Sequence, residues 1–115
     1  MQIIPAILEK DLAEFNKKLA RLSYRFNRFH IDVIDDSYKN KTLEISSLLE
    51  LKDEFFIEAH LMVDRPELFL KQVKSKNIDL VFGQIERIKN FETYLSSYEK
   101  AGIERGLAID LETEV

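Results

Sequence analysis

The sequence predicts an α/β fold in which parallel strands alternate with helices. Short apolar runs rich in β-branched residues recur along the chain, and the segments between them show helical periodicity. The strands recur about every 23–28 residues, the spacing expected when roughly 250 residues make the eight units of a (β/α)8 barrel. The chain has 115 residues and so reaches the fifth strand of such a barrel. We therefore expect residues 1–115 to form a single incomplete domain, a partial (half) TIM barrel.

Five strands are expected in order, with four helices between them. The predicted strands cover residues 2–8, 29–34, 56–62, 80–82 and 105–109. The first helix begins with an Asp-x-x-Glu capping box made by Asp11 and Glu14. Its apolar stripe consists of Leu12, Phe15, Leu19 and Leu22. The second helix, about residues 42–52, is less regular.

The third and fourth helices carry clearer end signals. Asp64 and Glu67 repeat the capping box, with Pro66 near the first turn. Asn90 is the expected cap of the fourth helix, and Gly102 suits its left-handed stop. The buried sides are predicted to be Leu68, Phe69 and Val73 in the third helix and Phe91, Leu95, Tyr98 and Ala101 in the fourth.

Composition excludes several classes of function. The chain is 45% hydrophobic and 33% charged, as globular domains are. Its net charge of −4 and pI near 5.2 argue against nucleic-acid and anionic-membrane partners, which require a basic face. No apolar run is long enough to span a membrane. Without cysteine, disulfides and thiolate metal sites are impossible, and a reducing, cytoplasmic location is expected.

The second and third predicted strands carry polar residues on one face. Successive side chains of a strand alternate, so His30 and Asp32 point to the side opposite their apolar neighbours, and His60 does the same on the next strand. In a barrel these three would converge on the interior, as the start of a zinc, iron, manganese or cobalt site. Arg28 and Glu58 fall one layer deeper and are predicted to form an interior ion pair.

A structural interpretation of the same residues stays open. Two histidines in 115 residues are compatible with core side chains whose hydrogen bonds are satisfied. The pair Asp35-Asp36 after a strand is typical of a turn or a helix cap. Met62 is more often a core residue than one that faces a ligand.

The order of several motifs resembles that of the ribulose-phosphate 3-epimerase family. The resemblance runs over essentially the whole chain and covers the first half, or slightly more, of that family's barrel, so it implies a partial barrel of the ribulose-phosphate-binding type. The motifs are Ile4-Pro5-Ala6-Ile7-Leu8, Asp11, His30-Ile31-Asp32-Val33-Ile34-Asp35, Ala59-His60-Leu61-Met62-Val63 with Pro66, Leu80-Val81-Phe82, Ile85-Glu86, Gly106-Leu107-Ala108-Ile109 and Thr113.

This resemblance implies an isomerase of pentose phosphate metabolism, which inverts C3 of a ketopentose phosphate through a cis-enediolate. It implies that His30, Asp32 and His60 bind a divalent metal (Zn, Fe, Mn or Co) and that Asp32 is also one catalytic acid/base. A metal at the developing oxyanion and two acid/base groups on opposite faces are what such an inversion requires. His60, Met62 and Ala6 would contact the substrate, Met62 by shielding the enediolate from water.

The sequence also departs from the family's motifs, chiefly at substrate contacts. Ala6 stands where the family has a serine whose hydroxyl contacts the substrate, so that hydroxyl is lost. The other departures are Ile34 in place of methionine, residues 36–40 in place of Gly-His-Phe-Val-Pro-Asn, Gln84 in place of histidine, and Asp110-Leu111 in place of Asn-Pro.

In that family the fourth metal ligand, which is the second catalytic aspartate, comes from the seventh strand, and the phosphate loops follow strands seven and eight. This sequence stops before them. We expect either that it is part of a longer enzyme or that further chains complete it, with a sugar phosphate as partner. The alternative is a non-catalytic half-barrel that self-associates as an assembly or metal-binding module, a homo-oligomer that covers its open edges.

Overall fold

The computed structural model describes residues 1–48 and 53–114. Within them, five parallel strands form one sheet in chain order: β1 (Ala6–Ile7), β2 (Arg28–Ile34), β3 (Phe56–Met62), β4 (Leu80–Gln84) and β5 (Glu104–Ala108). Helix α1 (Leu12–Leu22) joins β1 to β2, α2 (Leu70–Ser75) joins β3 to β4, and α3 (Phe91–Lys100) joins β4 to β5. This confirms the α/β class and the parallel partial barrel. Among the described residues there is no helix with the length and apolarity of a membrane span.

The register between β2 and β3 decides which side chains become neighbours. The two strands pair over their whole length, so His30 lies opposite Glu58 and Asp32 lies opposite His60. The alternate residues of both strands are buried under the helices, as alternation predicts. This buried set is Phe29, Ile31, Val33, Ile57, Ala59 and Leu61.

Three of the predicted helix ends are confirmed. The Asp11 carboxylate accepts a hydrogen bond from the Glu14 backbone N–H at 2.9 Å, and α1 follows directly. The Asn90 side chain accepts from the Thr93 N–H at 2.9 Å and begins α3. After α3, Gly102 has a φ of +73°, the left-handed conformation that glycine adopts without a Cβ penalty.

The predicted start of the third helix is wrong. Asp64 makes no side-chain cap; a left-handed Arg65, with φ 56°, precedes a 3-10 turn at Pro66–Leu68, and α2 begins only at Leu70. A left-handed non-glycine residue costs backbone energy, so tertiary contacts must favour this path over a regular helix.

Glu67 shows which tertiary contact replaces the capping box. This buried carboxylate accepts from the backbone N–H groups of Lys89 and Asn90 at 3.0 and 3.1 Å, across to the segment that precedes α3. The 3-10 turn that points Glu67 inward leaves Leu68, predicted to be buried, 61% exposed. Phe69 and Val73 do pack on the core as predicted.

Two further segments differ from their predictions. The first strand is confined to Ala6–Ile7 rather than residues 2–8. In the predicted second helix, the described part forms a 3-10 turn at Ile45–Ser47, while residues 49–52 lie outside the described residues.

The predicted buried side of helix α3 is confirmed at Tyr98 and Ala101 but is wrong at Phe91 and Leu95. Tyr94 and Tyr98 are fully buried, whereas Phe91 and Leu95 are each 40% exposed. The Tyr94 hydroxyl donates to the Gly106 carbonyl oxygen of β5 at 2.8 Å. The predicted stripe leaves out Tyr94, whose buried hydroxyl is acceptable because it finds a backbone acceptor.

Candidate metal centre

His30, Asp32 and His60 lie together on the face of the sheet opposite the helices. The Asp32 Oδ1 atom is 3.3 Å from His30 Nε2 and 3.6 Å from His60 Nδ1. One candidate ligand atom from each residue lies within 4.8 Å of the others. The three side chains are only 17–23% exposed, so the group is partly shielded from water but can be reached.

Strand geometry alone places these three residues. His30 and Asp32 are two positions apart on β2 and therefore share a face. His60 lies opposite Asp32 on β3 in the parallel register. The His-x-Asp pattern and the register between the two strands are thus sufficient to bring two imidazoles and a carboxylate together.

The outward nitrogen of His30 is held by a second carboxylate. His30 Nδ1 is 2.8 Å from Glu58 Oε1. The other oxygen of Glu58 accepts from Arg28 Nε and Nη2 at 3.0 and 2.7 Å, and the guanidinium lies 4.5 Å from the centre of the Phe56 ring. The interior ion pair predicted for Arg28 and Glu58 is therefore confirmed, and it has a further partner in His30.

The outward nitrogen of His60 is held in a similar way from β4. His60 Nε2 is 3.0 Å from Gln84 Oε1. The Gln84 amide nitrogen donates to Asp110 Oδ1 at 2.7 Å. Gln84 is almost fully buried, and Asp110 follows β5, so this chain of contacts crosses two strands.

The electrostatics favour an ionised carboxylate at the centre. Hydrogen bonding to His30, and then to His60, holds the pKa of Asp32 well below its usual range. The same contact with Asp32 raises the pKa of His30, against the opposing effect of burial. Burial alone would raise the pKa of Glu58, but hydrogen bonds from His30 and Arg28 outweigh it and the net shift is downward.

The donor set fits a divalent transition metal. Two imidazoles and one carboxylate are ligands that suit Zn, Fe, Mn and Co. In protein metal sites the second nitrogen of a ligating histidine is usually hydrogen-bonded to a carboxylate or carbonyl oxygen, and both histidines show this feature. The same contacts also satisfy both imidazoles without a metal, so metal binding by these residues stays a prediction.

The turn interpretation describes the two aspartates after β2 well. Asp35 accepts from the Ser37 N–H at 2.9 Å and from the Asp64 N–H at 3.1 Å, which ties together the loops after β2 and β3. Burial raises the pKa of Asp35, but these hydrogen bonds outweigh it and lower the pKa overall. Asp36 is exposed and pairs with Lys41.

The residues predicted to contact substrate border the metal group. Met62 follows His60 on the same face of β3, two positions along, and is partly exposed. Ala6 pairs with His30 in the register between β1 and β2 and is exposed, with only a methyl group to offer. Both therefore lie beside the three candidate ligands, and their contact with a substrate stays a prediction.

Sequence reasoning missed the contacts made by Glu58 and Gln84. Glu58 was assigned only to Arg28, although its place opposite His30 on the same face was available from alternation. Gln84 was noted as a departure from the family and given no role. The signal in the sequence was a polar glutamine at the end of β4, a strand that otherwise consists of apolar residues and a glycine.

Comparison with known proteins supports a single family. The family model described as the ribulose-phosphate 3-epimerase family matches residues 2–115. A ribulose-phosphate 3-epimerase of Schizosaccharomyces pombe is 28% identical over 121 residues, covering 99% of this chain and 53% of that protein. A ribulose-phosphate 3-epimerase of Chlamydia trachomatis is 25% identical over 117 residues, covering 98% of this chain and 50% of that protein. The chain spans about half the length of the curated relatives it matches.

Proposed function

This chain belongs to the ribulose-phosphate 3-epimerase family, and we propose that it supplies the metal-binding part of a site that inverts C3 of a ketopentose phosphate. The observation that carries the proposal is the convergence of one candidate ligand atom each from His30, Asp32 and His60 within 4.8 Å of one another. The two histidines come from neighbouring strands whose register sets their separation, so the group is part of the fold and not a chance surface contact.

In this proposal His30, Asp32 and His60 hold a divalent metal. Such a cation stabilises the negative charge that develops on a substrate oxygen when the neighbouring carbon loses its proton. The bound cation would keep the Asp32 carboxylate ionised, as a proton acceptor must be. The low exposure of all three side chains strengthens their electrostatic effect on a bound substrate.

Asp32 is one acid/base of the proposed reaction. Inversion at carbon requires a second acid/base on the opposite face, because a single base returns the proton to the side from which it came. The five described strands supply Asp32 for one face. We propose that the second group comes from outside these strands, either from further sequence or from another chain.

Two neighbouring residues would shape the substrate side. Met62 would cover the reacting carbons with its apolar side chain and reduce access of water to the enediolate. Ala6 removes a hydroxyl where the resemblance implies one, so one polar contact to the sugar phosphate is missing. We therefore expect this chain to bind the sugar phosphate more weakly while it keeps Asp32 as the proton-transfer group.

One observation favours a second candidate function. On and after the edge strand β5, Leu107 and Ile109 are 42% and 44% exposed and Leu111 is fully exposed. An open sheet edge with apolar side chains pairs readily with another chain. We propose as the alternative a non-catalytic half-barrel that forms a homo-oligomer through this edge and keeps metal binding.

A single set of measurements separates the two candidates. The purified chain is titrated with Zn²⁺, Mn²⁺, Fe²⁺ and Co²⁺, and turnover at C3 is measured as exchange of the C3 proton of ribulose 5-phosphate and of its C3 epimer with solvent deuterium, a step that needs Asp32 but not the second acid/base group. The near-isosteric Asp32→Asn variant is expected to lower the rate by about 100-fold or more, because it removes the acid/base group. Metal binding by a homo-oligomer without turnover supports the second candidate. A folded protein that neither binds metal nor turns over would refute both.

Two further expectations remain predictions. We propose that residues 1–115 form one incomplete barrel domain. A cytoplasmic location is proposed because the chain has no cysteine, which suits a reducing compartment; fractionation of the native host's cells would test it.

A further inference from the structure

Each histidine of the candidate metal centre has its two ring nitrogens in different surroundings. His30 directs Nε2 toward Asp32 and Nδ1 toward Glu58. His60 directs Nδ1 toward Asp32 and Nε2 toward Gln84. A neutral imidazole has one N–H and one lone pair. Because only the lone pair binds a metal, the position of the ring proton decides whether each residue can be a ligand through its inward nitrogen.

Glu58 determines the proton position on His30. An ionised carboxylate only accepts hydrogen bonds. Its Oε2 atom already accepts from Arg28, and its Oε1 atom lies 2.8 Å from His30 Nδ1, closer than the 3.3 Å between Asp32 Oδ1 and His30 Nε2. In the neutral ring the shorter contact keeps the proton on Nδ1, so a metal held between Nε2 and Asp32 would meet the Nε2 lone pair.

Gln84 determines the proton position on His60 by a longer route. An amide side chain presents an acceptor at one end and a donor at the other. The Asp110 carboxylate accepts only, so it fixes the Gln84 NH₂ group on its own side, at 2.7 Å. The amide oxygen must then face His60, and at 3.0 Å it accepts the proton of Nε2. In the neutral ring the Nδ1 lone pair of His60 therefore faces the metal position beside Asp32.

We propose that Glu58 and Gln84 are positioning residues that hold the ring protons of His30 and His60 on their outward nitrogens, so that both lone pairs point at the metal position beside Asp32. This inference rests on the proposed metal site and deepens it. Contacts of this kind typically change metal affinity by about 10–100-fold. The expected ligand atoms are then His30 Nε2 and His60 Nδ1, a mixed pair.

The isosteric variant Glu58→Gln tests the first half of the proposal. Arg28 is a donor only, so the new amide must turn its oxygen to Arg28 and its NH₂ group to His30 Nδ1. That arrangement moves the ring proton to Nε2, where it blocks the metal. We expect Zn²⁺ affinity to fall by about 10–100-fold. The matched control is Glu92→Gln, the same change at an exposed position of α3, which should leave the affinity unchanged.

Nitrogen-15 NMR of the imidazole rings provides a readout that a merely structural role would not move. Metal-free spectra at about pH 9, where an imidazole is ordinarily neutral, should show the proton on Nδ1 in wild-type His30 and on Nε2 in Glu58→Gln. The Zn²⁺-loaded wild type should show ligation through His30 Nε2 and His60 Nδ1.

A second set of variants tests Gln84. Gln84→Met keeps the length of the side chain but removes the acceptor at Nε2, so the ring proton of His60 should move to Nδ1 beside Asp32 and Zn²⁺ affinity should fall. The double variant Gln84→Glu with Asp110→Asn restores an acceptor facing His60 and a donor behind it. It should recover the Nε2 proton on His60 and most of the affinity.

The outcomes separate this inference from the proposed function. If the wild type binds no Zn²⁺, the metal site fails, and the metal-free spectra still decide whether Glu58 and Gln84 set the tautomers. If the wild type binds Zn²⁺ and neither Glu58→Gln nor Gln84→Met changes affinity or tautomer, the positioning role is overturned while the metal site stands. A proton on Nε2 of wild-type His30 would also overturn it.

Discussion

Replacing Arg28 by methionine should destabilise the fold by leaving a buried carboxylate short of partners. Arg28 donates two hydrogen bonds to Glu58 Oε2, at 3.0 and 2.7 Å, and its guanidinium lies over the Phe56 ring. The Glu58 side chain is only 9% exposed. After Arg28→Met, a single side-chain partner, His30, remains for this carboxylate in the described contacts, and water has little access to it.

The size of the loss follows from these contacts. Hydrogen bonds to charged groups contribute ~1.5–3 kcal/mol each, and a cation over an aromatic ring ~0.5–1 kcal/mol. The Arg28 side chain is 30% exposed, so solvent screens part of this. We expect Arg28→Met to lower the free energy of unfolding by about 2–3 kcal/mol. At roughly 4 °C per kcal/mol, the midpoint of thermal unfolding should fall by about 10 °C.

Urea unfolding followed by circular dichroism measures this loss, and two further variants test its cause. Lys17→Met removes one partner of an exposed ion pair with Glu14 at 3.9 Å and should change stability by less than about 0.5 kcal/mol. The double variant Arg28→Met with Glu58→Met should be more stable than Arg28→Met alone, because it leaves no buried charge unpaired. The explanation is refuted if Arg28→Met is as stable as Lys17→Met. It is also refuted if the stability lost in the double variant equals the sum of the losses in Arg28→Met and Glu58→Met.

Three other predictions concern the packing of α3 on the sheet. Gly83→Ala places a Cβ 2.9 Å from the buried Tyr94 ring and should cost about 1–3 kcal/mol by urea unfolding; a neutral result would mean that the ring can shift. Burial raises the pKa of Tyr94 from 10.0 to about 12, so its contribution is complete below pH 10 and lost as pH rises from about 10 to 12, about 2 kcal/mol. The free energy of unfolding of Tyr94→Phe should therefore fall less steeply between pH 10 and 12 than that of the wild type. The same pH dependence in both proteins would contradict this prediction. Asn90→Ala removes the cap on the Thr93 N–H and should cost about 1 kcal/mol, whereas Asn90→Ser should recover most of it.

The sequence pattern predicted the strands correctly where buried apolar residues alternate with polar residues. The third strand was predicted over residues 56–62, as observed, because Ile57, Ala59 and Leu61 alternate with Glu58 and His60. The same alternation placed His30 and Asp32 on one face, and consecutive strands of a parallel βα sheet are usually neighbours, which placed β3 beside β2. The candidate ligands were therefore accessible from the sequence.

Local pattern failed where a distant backbone group decides the outcome. Asp11 with Glu14 and Asp64 with Glu67 have the same spacing, yet only the first pair caps a helix. Glu67 instead accepts hydrogen bonds from two backbone N–H groups, those of Lys89 and Asn90, which precede α3. Nothing near residue 67 in the sequence indicates that those N–H groups lack partners, so tertiary structure overrides the local signal.

The contacts behind the metal ligands were out of reach for a related reason. Gln84 reaches His60 from the next strand, and Asp110 reaches Gln84 from beyond a further strand. Alternation identifies which face a residue occupies but not how far its side chain extends along that face. The contact of Gln84 with His60 has one signal in the sequence: Gln84 is a polar residue on the inward face of the strand that neighbours the strand of His60.

The most direct test of the account is the location of a bound metal. Crystals of the chain grown with excess Zn²⁺ and measured on both sides of the zinc absorption edge should show one dominant anomalous peak. This peak should lie in contact with His30 Nε2, Asp32 Oδ1 and His60 Nδ1. A well-ordered crystal with zinc bound elsewhere and no peak at these three residues would contradict the central claim.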